Sequence, residues 1–160
     1  MAAQIERYRG SHERDGSVPR DEAISVFRLV GRRPDAGLVF ADAGRRAARY
    51  SAREAPARAL SRVTPGSVSR KLAARAATKT ARAAFAADLR FPGGIAEVRM
   101  AEPLSIVAWP DGEACGFYAA AFAELLRSLT GFEGTLRHEA CRGRGESACL
   151  WRGAAAEGYE

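Results

Sequence analysis

Four residues in the last third of this 160-residue chain, Cys115, His138, Cys141 and Cys149, are the ones whose types and spacing could hold a metal ion. Cys141 and Cys149 flank a stretch containing Gly143 and Gly145, so a hairpin would bring their sulfurs together, with His138 on the strand just before. Cys115 falls near the start of a helical pattern. One thiolate from a helix and three ligands from a hairpin would clip the two elements together as a tetrahedral Cys3His zinc site. Spacing alone leaves a second reading open, because the C-x2-C knuckle is missing: three small buried cysteines and one hydrogen-bonded core histidine. Four protein ligands would fill a zinc tetrahedron and leave no place for water or substrate, so such a zinc would be structural. A hydrolase reading then loses its support.

Hydride chemistry needs a donor. No G-x-G-x-x-G follows a strand and opens a helix, and neither FPGGIAEV at 91–98 nor the segment 142–145 has that context. Reduction by this chain alone is therefore not expected, no catalytic residue is assigned, and binding is the class that remains. Candidate pocket walls are Phe85, Phe91, Trp109, Phe117, Tyr118 and Phe122, although aromatics at helical spacing are also what plain core looks like. Arg45, Arg46 and Arg49 could clamp an anionic group of a ligand, or simply be solvated.

The elements that must position these residues can be read from periodicity. From Ala114 to Thr130, Cys115, Tyr118, Phe122, Leu125 and Leu129 recur at helical spacing, and Gly131 stops the helix. Strands are expected over about 132–141 and 148–152, joined by the Gly-containing turn 142–147. Ahead of them Ile95 to Met100 alternates, and Leu104 to Trp109 is an apolar run of strand length ended by Pro110-Asp111-Gly112. Three helices precede. The first, 21–30, would turn Ile24, Phe27 and Val30 to one side; the second, 35–53, would turn Leu38, Val39, Ala43 and Tyr50 inward. The third runs from a Thr64-Pro65 cap to about Ala84, with an apolar stripe of Val68, Leu72 and Ala76 beside a basic one of Lys71, Arg75, Lys79 and Arg82. Residues 1–20 are charged and aperiodic and are expected to be a flexible tail. Residues 21–160 would form a single domain with its metal-binding subregion at 114–152. Helices first, then strands around one long helix, predict an α+β fold rather than alternating βαβ units.

Composition sharpens this. The hydrophobic fraction is 47%, but 34 of those residues are alanine, so a few large side chains must supply the core. The net charge of +6 is local: residues 41–90 hold 12 Lys or Arg against 3 Asp or Glu, and the remainder holds 13 against 16. The basic stripe leaves peripheral contact with anionic membrane open, whereas nothing resembles a recognition helix, and nucleic acid is not expected. Three cysteines do not make a disulfide framework, and neither a leader nor a spanning run of roughly 20 apolar residues is seen, so a cytoplasmic protein is expected.

The segment GEACGFYAAAFAELLRSLTGFEGTLRHEACRGRGESACLWRG resembles the 4-vinyl-reductase domain family. That family is marked by a cysteine opening a helix, a second after a strand, and a Gly-containing turn leading to a third. The upstream stretch ADAGRRAARY at 41–50 resembles the subgroup tied to bacteriochlorophyll biosynthesis, and together the matches cover about 36–152. The resemblance implies the fold shared with subunits of vesicle-tethering (TRAPP) complexes, an antiparallel sheet on helices enclosing an apolar pocket. It implies zinc held by Cys115, Cys141 and Cys149, with His138 where relatives carry an acidic residue and Glu139 beside it as the alternative fourth ligand. It implies a tetrapyrrole or other apolar small molecule as ligand, held or delivered for a partner reductase or other pigment-synthesis enzyme. Two alternatives stay open: an aromatic-hydrocarbon sensor signalling through a partner, and a vinyl reductase supplied by an external electron donor. A homodimer also stays open.

Overall fold

The computed structural model describes residues 18–55 and 66–154. Most of the expected tail, and the Thr64-Pro65 cap, lie outside the described residues. Among the described residues, five helices and four strands run in the order α1 (Arg20–Gly31), α2 (Ala36–Glu54), α3 (Gly66–Phe85), β1 (Asp88–Arg90), β2 (Glu97–Met100), α4 (Leu104–Ala108), α5 (Gly116–Thr130), β3 (Thr135–Ala140) and β4 (Cys149–Ala154). The strands form one antiparallel sheet in the order β1-β2-β4-β3. The architecture is α+β. Among the described residues no helix is long and apolar enough to cross a membrane.

The core lies between the sheet and α5. Tyr118, Phe122, Leu125 and Leu126 of α5 are buried against Leu89, Val98, Met100 and Trp151 of the strands. Fully burying such side chains contributes about 1.5–3 kcal/mol each, which is how so few large residues hold an alanine-rich chain together. On its other side α5 meets α2 along Gly44, Ala48 and Ala52, all buried. A Cβ on Gly44 would collide with the backbone carbonyl oxygen of Phe117, so glycine sets how closely the two helices approach.

Three expectations are corrected. Leu38, Ala43 and Tyr50 do not face inward: Leu38 is 77% exposed, Tyr50 51%, and Ala43 is also exposed, while the buried side of α2 is Phe40, Gly44, Ala48 and Ala52. Small residues won that face because a close helix crossing needs them, and side-chain size gives no hint of it. Likewise on α3 the inner residues are Ala77 and Ala81, and Val68 is 54% exposed. Leu104 to Trp109 is not a strand but the helical turn α4. Both edges of β2 are already paired, to β1 and β4, and Pro103 starts the turn by accepting the Ile106 and Val107 N–H groups. Ser105 and Ala108, three apart, are its buried side. β1, a three-residue strand around the buried Leu89, was too short to be read from alternation.

Candidate metal centre

Cys115 ends a 3-10 turn, Glu113–Cys115, that leads directly into α5. The turn is set by Asp111, whose carboxylate accepts the Glu113 N–H at 3.0 Å, and by Gly112 at φ 85°, whose carbonyl accepts the Cys115 N–H. Gly112 is also a near neighbour of the sulfurs: a Cβ there would sit 2.7 Å from Cys141 Sγ. The left-handed φ and the close approach both call for glycine.

The other three ligands come from the β3–β4 hairpin. His138 pairs with Trp151, whereas Ala140 pairs with Leu150, so a bulge lies between them at Glu139. An extra residue in one strand re-aims the side chains beyond it. Here the re-aimed side chain is Cys141, which faces Cys149 at the first position of β4. The turn between them closes through Arg144 N–H on the Cys141 carbonyl at 2.9 Å and a left-handed Gly145. Gly143 lies against the backbone of Pro110 and Asp111, so the hairpin turn and the turn before Cys115 stack on one another.

One ligand atom from each of Cys115, His138, Cys141 and Cys149 lies within 4.8 Å of all the others. The Cys141 and Cys149 sulfurs are 4.0 Å apart. That is twice the length of a disulfide bond, and close to the ~3.8 Å between two sulfurs on one tetrahedral zinc with bonds of about 2.3 Å. All three cysteines are free and buried. The group could hold a metal ion, and two further observations fit one. His138 Nε2 is buried with no hydrogen-bond partner, and a bare imidazole nitrogen is what a metal ion would take up. Two of the sulfurs also have hydrogen-bond partners: the Arg142 N–H points at Cys149 Sγ at 3.4 Å, and Ser105 Oγ lies 3.2 Å from Cys115 Sγ.

Electrostatics point the same way. Burial pushes the Cys115 thiol up to about 12 and raises that of Cys149, with the neighbouring thiols adding to the rise. Burial, then the charge of Arg144, lowers His138, which keeps the imidazole neutral. Three clustered thiolates would repel one another in this setting, and a divalent cation is what would let them ionise together. Glu139 takes no part: it is on the opposite side of β3 from His138 and pairs with Arg152 at 3.3 Å.

The aromatic and arginine candidates are not gathered in one place. Phe85 and Tyr118 each pack on Phe122, and Tyr118 and Phe122 both meet Trp151. Phe91 packs against the same core. Phe117 lies between Tyr118 and Phe27. Trp109 is elsewhere, donating its indole N–H to the Phe27 carbonyl and lying against Gly31. Arg46 pairs with Asp42 and Arg49 with the buried Glu124, while Arg45 is half-buried and forms no ion pair with a described residue. Lys71, Arg75, Lys79 and Arg82 are all exposed. Sequence reasoning missed Ser105 and Gly112: the turn at 110–112 was legible, but not that it would abut Cys141. Comparison with protein-family models and with curated proteins returns no match for this chain.

Proposed function

We propose that this chain is a zinc-stabilised small-molecule-binding domain of the 4-vinyl-reductase type, holding a chlorophyll precursor or similar tetrapyrrole for a partner reductase or other pigment-synthesis enzyme. The observation that carries the metal half is the convergence of Cys115, His138, Cys141 and Cys149, with His138 Nε2 buried and without a hydrogen-bond partner. Thiolate-rich sites with one imidazole favour zinc over harder cations. With four protein ligands the ion is structural: it clips the start of α5 to the β3–β4 hairpin, and its binding free energy becomes folding free energy.

The ligand half rests on the resemblance carried by residues 41–50 and 112–153, and an antiparallel sheet packed on helices is compatible with it. The relation to TRAPP-type subunits is part of the same proposal. Arg45 is the first clamp residue to test, since Arg46 and Arg49 already meet carboxylates of this chain. Adding divinyl protochlorophyllide to zinc-loaded protein should shift the pigment spectrum saturably, and Arg45→Ala should weaken the titration. No shift from folded, zinc-loaded protein would overturn the pigment reading. A saturable response to simple aromatic hydrocarbons instead would favour the sensor alternative.

A further inference from the structure

We infer that Ser105 is a positioning residue of the metal centre, and that through it α4 is tied to metal binding; this rests on the metal reading above. Ser105 is completely buried. Three helix hydroxyls among the described residues bond back to the carbonyl four residues earlier, Ser25 to Asp21, Ser51 to Ala47 and Thr130 to Leu126, and Thr78 reaches the Leu89 carbonyl instead. Ser105 does not bond back. The carbonyl four residues before it, Ala101, is taken by the Arg142 guanidinium at 2.6 Å, and Ser105 Oγ is instead 3.2 Å from Cys115 Sγ.

In the metal-free protein either partner could donate. A metal-bound sulfur carries no proton, so the Ser105 hydroxyl must then donate to the Cys115 thiolate, and a charge-assisted bond of this kind is stronger than its neutral counterpart. Cys115 needs such a support more than its partners, since it is the ligand that does not come from the hairpin. Arg142 adds a second link: its N–H faces Cys149 Sγ while its side chain holds the segment leading into α4. α4 is therefore attached to the centre from both ligand-bearing sides. It passes the connection on, because the Ser105 carbonyl accepts the Trp109 N–H at 2.8 Å and the Trp109 indole is bonded to α1.

The test compares wild type with Ser105→Ala, both loaded with cobalt(II) or zinc. Outer-shell partners of metal ligands are typically worth about 10–100-fold in metal affinity, and S105A should lose affinity in that range by chelator competition. It should also shift the thiolate-to-cobalt charge-transfer band, which a merely structural role would leave in place. In wild type loaded with 113Cd, the Ser105 hydroxyl proton should show coupling to the metal, a readout that does not depend on the variant folding. Equal affinity and an unshifted band in S105A, or no coupling in wild type, would overturn the inference while leaving the metal site standing. Wild type that takes up no metal would instead overturn the reading beneath it.

Discussion

The imidazole of His138 lies flat against the indole of Trp151, with ring centroids 4.7 Å apart and planes 9° from parallel. The two residues face each other across β3 and β4, and Trp151, fully buried, also meets Tyr118 and Phe122 of α5. The ring that brings a nitrogen to the sulfur cluster is thus held in plane by the centre of the hydrophobic core.

Removing that support should affect both stability and metal binding. Trp151→Ala should destabilise the zinc-loaded protein by about 3–5 kcal/mol in urea unfolding, as loss of a buried indole does. The folded fraction should also release zinc to a chelator more readily. Trp151→Phe, which keeps a ring under the imidazole, should fall between. Zinc retention unchanged in folded W151A would separate the core from the site.

Acidity and metal should act together. In the metal-free protein the raised values of Cys115 and Cys149 stabilise the fold below the ordinary thiol value of 9.0, and that contribution is lost as pH climbs toward the value of about 12 for Cys115. The lowered value of His138 works at the other end: its contribution is present above 6.5 and is lost as pH falls below it. Thermal melts of chelated protein should therefore peak between these limits. Metal affinity should rise with pH from about 6 to 8, releasing up to about three thiol protons per ion. Affinity independent of pH would show that the thiols are not the ligands.

Gly112 should tolerate a side chain poorly. Gly112→Ala combines a left-handed φ of 85° with a Cβ 2.7 Å from Cys141 Sγ. Gly94→Ala is the control, having a φ of 86° and nothing within 4 Å. The control should lose only the ~1–2 kcal/mol of an L-residue in that conformation. G112A should lose more in the metal-loaded state, with weaker metal binding, and chelator competition should separate the two variants.

A parallel pair tests the α2–α5 seam. Gly44→Ala drives a Cβ into the Phe117 carbonyl and should cost about 1–3 kcal/mol. Gly37→Ala, on the same helix with open space around it, should instead stabilise by about 0.5–1 kcal/mol. Thermal melts that move the same way for both would contradict the close crossing described for Gly44.

How far the sequence revealed this arrangement depended on the residue type. Cysteine and histidine are rare in the chain and have few uses when clustered, so the four ligands could be singled out, and strict helical spacing marked α5. Alanine and glycine carry no such signal. The buried side of α2 is built from Gly44, Ala48 and Ala52, and could not be told from its exposed alanines without knowing what packs there. Leu104 to Trp109 misled because a short apolar run suits a strand or a helical turn equally; the turn is started by Pro103, whose carbonyl accepts the Ile106 and Val107 N–H groups. The bulge at Glu139 was equally hidden, since the alternation along β3 runs on through it.

The most direct measurement of the central claim is the metal content of the purified, reduced chain after exposure to excess zinc and removal of unbound ion. About one zinc per chain, falling sharply in Cys141→Ser and Cys149→Ser together with the melting temperature, is the result predicted for a closed structural site. A folded wild-type chain that retains no zinc, or that melts at the same temperature after complete chelation, would contradict it.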